Sequence, residues 1–163
     1  MNSRRSFLQN SLTAAGTGIA VALLGGRAFA DTYEVTHSDA EWRKLLSPEA
    51  YDVLRHEGTE RAGSSPLNDE MRKGTYFCAG CDLALFSSAT KYHSGTGWPS
   101  FWKPLNNAVK TKTDMSFFMS RTEVHCRRCG GHLGHVFNDG PQPTGLRYCM
   151  DGVAMKFVPD KTA

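Results

Sequence analysis

Five cysteines constrain this 163-residue chain more than any other feature. Four form two Cys-x-x-Cys knuckles, Cys78/Cys81 and Cys126/Cys129, while Cys149 stands apart in Arg147-Tyr148-Cys149-Met150. A two-residue spacer lets both sulfurs of a knuckle face one ion, and a tetrahedral zinc site takes four such ligands. The competing arrangements are two structural disulfides or one redox Cys-x-x-Cys. A disulfide across so short a loop restrains the unfolded chain little, and two of them tie nothing distant together. The expectation is a metal tetrathiolate, zinc ahead of iron. Four cysteines complete the shell and leave no open position, so the metal is expected to be structural, with Cys149 left over. Because 44 residues separate Cys81 from Cys126, two distant turns must meet, and the site becomes a clamp across the domain.

The first thirty residues are set aside before any fold is argued. Ser3-Arg4-Arg5-Ser6-Phe7-Leu8 is a twin-arginine pattern, followed by a Gly- and Thr-diluted apolar stretch from Leu12 to Leu24 and by Ala28-Phe29-Ala30. Residues 1–30 are expected to be a twin-arginine signal peptide cleaved after Ala30, and 31–163 the functional domain, exported to the periplasm. A membrane anchor is the alternative, but the stretch falls short of the ~20 apolar residues a span needs. Removing the signal takes away Arg4, Arg5 and Arg27 and no acid, which leaves 16 basic and 16 acidic residues. The mature chain is formally neutral, so a nucleic-acid surface is not expected, and no stable membrane association is expected after signal cleavage. The remaining 133 residues suit one domain, expected to be monomeric. Twin-arginine export carries folded proteins, which would let thiolates load metal in the reducing cytoplasm.

Ser38-Asp39-Ala40-Glu41 is a capping-box pattern that opens a short helix through Leu45 and Leu46. Ser47-Pro48 starts a second, with Tyr51 and Leu54 on one face and Gly58 as its stop. Arg61 to Arg72 reads as a polar connector. From Gly74 onward the pattern is short β runs between Gly, Pro, Asn and Asp clusters: Thr75–Cys78, Leu83–Ser87, Ala108–Thr111, Met115–Val124, His132–Asn138, Leu146–Cys149 and Val153–Val158. No helix-length segment separates them, so antiparallel pairing is expected. The fold class is mainly β, a barrel-like or sandwich arrangement with short N-terminal helices. Both knuckles fall at turns.

A lone cysteine is ordinarily a small buried hydrophobe. In an extended run, however, Arg147, Cys149 and Asp151 share a face, where a guanidinium could stabilise a thiolate. Arg147 could equally be a solvated surface residue. His132 and His135 could donate protons near neutral pH, bind metal, or be core residues with satisfied partners. Trp98, in Gly97-Trp98-Pro99-Ser100-Phe101-Trp102, could wall an apolar group or belong to the core.

Taken together these segments resemble a known family. Phe77-Cys78-Ala79-Gly80-Cys81, Ser94-Gly95-Thr96-Gly97-Trp98-Pro99-Ser100-Phe101, Cys126-Arg127-Arg128-Cys129-Gly130, His132-Leu133-Gly134-His135-Val136-Phe137 and Gly145-Leu146-Arg147-Tyr148-Cys149 are similar, in order, to peptide-methionine (R)-S-oxide reductase, methionine sulfoxide reductase B. The resemblance spans Tyr33 to Val158. It implies two antiparallel sheets, a structural zinc on Cys78, Cys81, Cys126 and Cys129, and Cys149 as the nucleophile that reduces oxidised methionine through a sulfenic acid. It also implies His132 and His135 in the active site, His135 as the proton donor, Trp98 against the substrate's ε-methyl group, and Phe137 closing the pocket.

Two positions depart from that pattern. Thr96 stands where many relatives place a resolving cysteine, so an external thiol, a thioredoxin-like protein, is expected to return Cys149 to the thiol. Asp151 stands where the family commonly has Asn, and a carboxylate there would disfavour the thiolate. It could instead pair with Arg147 or a histidine. The rival readings are a catalytically inert, zinc-stabilised binding module with Cys149 buried, and a thiol oxidoreductase working through a Cys-x-x-Cys.

Overall fold

The computed structural model describes residues 32–116 and 119–161. The expected signal, residues 1–30, lies outside them. Both helices begin as their caps dictate. Ser38 Oγ accepts the Glu41 N–H while the Glu41 carboxylate accepts the Ser38 N–H at 2.8 Å, opening α1 (Asp39–Leu45). Ser47 Oγ accepts from Ala50 N–H, and Pro48 fills the first turn of α2 (Pro48–His56). Helices this short are marginal alone and depend on the faces they bury: Trp42 on α1, and Ala50, Tyr51, Val53 and Leu54 on α2. The left-handed stop of α2 is Glu57, with φ of 58°, one residue before the expected Gly58. A Cβ at Gly58 would meet the carboxylate of Asp52, an exposed side chain free to move aside.

Among the described residues nine strands follow, and all pair antiparallel. A three-stranded sheet has the order β2 (Ala84–Ser87), β1 (Gly74–Cys78), β9 (Met155–Pro159). A six-stranded sheet runs β3 (Lys91–Tyr92), β4 (Ser100–Phe101), β8 (Arg147–Met150), β7 (His132–Phe137), β6 (Arg121–Cys126), β5 (Val109–Asp114). Aromatic side chains join the two sheets. Phe86 of β2 stacks on Phe101 of β4 at 4.4 Å, and Tyr76 of β1 meets Phe101 edge-on at 4.9 Å. These three rings are fully buried, and such pairs stabilise beyond the area they hide.

The expected mainly β fold, antiparallel sheets and small N-terminal helices are all present. The expected strand Met115–Val124 begins only at Arg121. Before it the chain turns, because Asp114 accepts the Ser116 N–H at 2.8 Å and the Arg121 guanidinium bridges Asp114 and Ser116. Met115 and Met119 are consequently exposed. The two-residue strands β3 and β4 were not anticipated, being too short for any alternation to show. The polar connector also has structure. Gly63 N–H and the Asn68 amide both donate to the Gly97 carbonyl, at 2.8 and 2.9 Å, and so hold the segment that carries Trp98.

Candidate active site

The knuckle cysteines converge first. Cys78 and Cys81 flank the β1–β2 turn and Cys126 and Cys129 the β6–β7 turn, and the two turns match in form. The N–H of Asp82 donates to the Cys78 carbonyl and that of Gly130 to the Cys126 carbonyl, both at 2.9 Å. The residue after each knuckle is left-handed, with φ of 56° at Asp82 and 69° at Gly130. All four Sγ atoms lie within 4.8 Å of one another. The Cys78–Cys129 and Cys81–Cys126 separations are 3.7 and 3.5 Å, far beyond a disulfide bond. A tetrahedral shell with ~2.3 Å zinc–sulfur bonds places its sulfurs ~3.8 Å apart, so the donor set fits a zinc ion. Gly80 packs against the sulfurs: a Cβ there would make ordinary contact with Cys129 Sγ at 3.7 Å and Cys78 Sγ at 3.8 Å. No other group of metal-binding side chains occurs among the described residues.

Cys149 sits elsewhere, mid-way along β8. Directly paired residues on neighbouring strands project to the same face. The register therefore draws a polar row across the larger sheet: Ser100 on β4, Cys149 on β8, His135 on β7, Glu123 on β6, Lys112 on β5. The neighbouring row, Phe101, Tyr148 and Val136, faces the core. One sheet thus has a packing face and a chemical face.

His132 would ordinarily point away from His135, three residues on. A register shift between Val124 and His125 alters that parity, and Gly134, with φ of +140°, carries the chain through it. The two imidazoles meet edge-on at 5.4 Å. His132 is buried, with Nδ1 2.9 Å from Glu123 Oε1 and Nε2 3.9 Å from Asp151 Oδ2. His135 Nε2 lies 2.8 Å from Asp114 Oδ2, which also takes the Arg121 guanidinium at 2.7 Å. Burial lowers the pKa of both histidines from the ordinary value. Hydrogen bonds from Ser116, and then from His135 and Arg121, hold Asp114 well below the usual carboxylate range.

Around Cys149 an open cavity of about 120 Å³ is lined by Trp98, His135, Phe137, Asp151, Thr59 and Arg121 among others. Burial raises the Cys149 thiol pKa; a hydrogen bond with Thr96 and the charge of Arg147 oppose that rise, and Asp151 adds to it. Arg147 forms a two-pronged pair with Asp139, both contacts 2.8 Å, and stacks 4.4 Å above the Phe137 ring. Asp151 is buried and its carboxyl is pushed up to about 6 by desolvation.

A SelR domain matches residues 46–159. The peptide methionine sulfoxide reductase MsrB of Leptospira interrogans is 56% identical over 126 residues, covering 77% of this chain and 96% of that protein. Proteins of the same name are 55% identical in Methanosarcina barkeri, over 76% of this chain and 87% of theirs, and 52% identical in Agrobacterium fabrum, over 77% and 94%. This chain belongs to the MsrB family.

Of the residues singled out from sequence in this MsrB chain, Cys149, His135, Trp98, Phe137 and Asp151 share the cavity. His132 lies behind it, reaching it through His135 and Asp151, and Arg147 flanks it without lining it. Asp151 lies nearer His132 than Arg147, 3.9 Å from the His132 Nε2, and takes its hydrogen bond from the Glu60 N–H. Sequence reasoning missed Glu60. Its carboxylate accepts the Gly152 and Val153 N–H groups at 2.6 and 3.0 Å, its N–H donates to Asp151 Oδ1 at 2.9 Å, and its carbonyl accepts Trp98 Nε1–H at 3.2 Å. One residue therefore ties the indole wall to the turn after Cys149. Glu123 and Asp114, the partners of the two histidines, were missed as well. No local signal marks any of the three, because each partnership spans at least nine residues of sequence.

Proposed function

We propose that the protein reduces methionine (R)-sulfoxide in peptides and proteins to methionine, with Cys149 as nucleophile. The observation that carries this reading is the Cys149 thiol opening onto a cavity shared with Trp98 and His135, in a chain of the MsrB family. The Cys149 thiolate attacks the sulfoxide sulfur while a proton reaches the sulfoxide oxygen. Oxygen passes to the cysteine: thiol and sulfoxide become sulfenic acid and thioether, so the cysteine is oxidised by the two electrons that reduce the substrate. His135, paired opposite Cys149, is the proton donor, with Asp114 holding its ring. His132 stands behind it, edge-on to the His135 ring and held at Nδ1 by Glu123.

Trp98 offers a flat apolar wall for the ε-methyl group, and Phe137 closes the cavity beneath the Arg147 guanidinium. With the methyl on one side and the proton donor on the other, only one epimer presents its sulfur to Cys149; the other would misplace its oxygen. The four knuckle cysteines would hold a structural zinc, whose closed shell fixes two turns and offers no open coordination position. An external thiol, supplied by a thioredoxin-like protein, then attacks the sulfenic acid, releasing water and leaving a mixed disulfide that a second thiol resolves. The twin-arginine pattern of residues 1–30 supports export of residues 31–163 to the periplasm.

The test offers both epimers of a methionine sulfoxide peptide with dithiothreitol, using Cys149→Ser as control. Turnover of the R epimer alone, abolished in the control, is expected. Equal turnover of both epimers, or activity surviving in the control, would refute the reading; turnover of neither would favour an inert zinc-stabilised module.

A further inference from the structure

Behind Cys149, on the side away from the histidines, three hydroxyl side chains follow one another. Cys149 Sγ lies 3.7 Å from Thr96 Oγ1, which lies 2.9 Å from Ser94 Oγ, which lies 2.7 Å from Ser100 Oγ. Ser100 Oγ is 3.0 Å from the Trp98 carbonyl oxygen. Ser100 is fully buried, while Thr96 and Ser94 are half-buried.

The far end sets the direction of the whole series. A carbonyl only accepts, and a hydroxyl has one proton to give. Ser100 spends its proton on Trp98, so Ser94 must donate to Ser100 and Thr96 to Ser94. Thr96 then has only a lone pair to offer, and the Cys149 S–H donates to it. All four contacts are satisfied while Cys149 is a thiol. A thiolate has no proton, and two lone pairs would face each other unless the series reverses: Thr96 to Cys149, Ser94 to Thr96, Ser100 to Ser94, with the Trp98 carbonyl losing its donor. The exchange trades a neutral hydrogen bond at one end for a charge-assisted one at the other, which is stronger.

We propose that Ser94, Thr96 and Ser100 form a hydroxyl chain that reverses direction as Cys149 passes between thiol and thiolate, with Thr96 a catalytic residue and Ser94 and Ser100 positioning residues acting through it. The proposal rests on Cys149 being the nucleophile. Thr96 favours the thiolate by donating to it; the anchor on Trp98 opposes the thiolate by holding the chain in the other direction. Arg147 on the same strand, Asp151 just beyond it, His135 on β7 and Tyr92 on β3 also face Cys149, and they remain unchanged in the variants below.

The opposite signs supply the test. The pH dependence of iodoacetamide alkylation, localised to Cys149 by peptide mass spectrometry, is measured on the native protein. Thr96→Val removes the thiolate's donor, so alkylation at neutral pH slows, roughly fivefold if one charge-assisted bond is lost. Ser100→Ala frees the chain from its anchor, so alkylation accelerates. Combining the two gives the Thr96→Val rate, because without Thr96 the anchor has nothing to act through. If the buried Ser100→Ala variant does not fold, Ser94→Ala cuts the chain at a half-buried position and is expected to accelerate alkylation too. Slowing by Ser100→Ala or Ser94→Ala, or additive effects in the double variant, would overturn the proposal. Alkylation reports the hydroxyl chain without turnover, so these outcomes are separate from sulfoxide reduction by Cys149→Ser, which would instead overturn the nucleophile assignment.

Discussion

Asp151 shows how one side chain can work against the chemistry beside it. It is buried, keeps its Glu60 N–H donor, and has its carboxyl pushed up to about 6 from 3.8. An acid with a raised folded-state value binds its proton more tightly in the native protein. Stability from this group is therefore present below the unfolded value and is lost as pH rises from about 4 through about 6. A shift of roughly two units corresponds to at most about 3 kcal/mol. Asn can still accept from Glu60 N–H and carries no charge. Asp151→Asn is expected to unfold later in denaturant than the parent above pH 6, with the two converging toward pH 4. It is also expected to lower the Cys149 thiol pKa and raise sulfoxide turnover at neutral pH. An unchanged pH dependence of unfolding, or a higher thiol pKa, would contradict this account.

At the level of elements, the site depends on how β7 meets β8. Gly134 sits against β8 so closely that a Cβ there would lie 2.2 Å from the Cys149 carbonyl oxygen, and its φ of +140° disfavours any other residue. Gly134→Ala should cost at least about 2 kcal/mol in chemical denaturation and impair turnover more than a loss of fold explains, because the histidines lose their register. An unaltered unfolding midpoint would contradict this. The same strand marks the limit of what the sequence conveyed. The capping box of α1, the Ser47-Pro48 start of α2 and the knuckle turns were legible because each signal and its consequence lie within four residues. The bulge that turns His132 toward His135 was not, because it depends on β6 as well as β7. Glu60 was hidden for the same reason, reaching Gly152 and Val153 across more than ninety residues. The expected strand from Met115 starts late because Asp114 accepts the Ser116 N–H and Arg121 reaches Ser116, contacts that alternation does not reveal; residues 117 and 118 lie outside the described ones.

In the whole molecule, the tetrathiolate site and the Cys149 site occupy different parts of the structure joined by packing. α2 packs against β7 and against the Gly152–Ala154 turn that follows Cys149; at the tetrathiolate end its Arg55 donates to the Cys129 carbonyl at 3.1 Å, and a Cβ on Gly131 would lie 2.7 Å from Leu54. Among the described residues no helix is long and apolar enough to cross a membrane. Chelation is expected to lower the melting temperature of the whole domain, with one zinc per chain found before treatment; an unchanged melting temperature after complete metal removal would contradict a structural role. The central claim is that Cys149 alone takes the oxygen and waits for another molecule's thiol. A single-turnover reaction with methionine (R)-sulfoxide peptide and no reductant, followed by dimedone trapping and intact mass measurement, tests it most directly. One dimedone adduct, located at Cys149, with no intramolecular disulfide, is the predicted result; a disulfide from Cys149 to a knuckle cysteine, or methionine formed with Cys149 still a thiol, would contradict it.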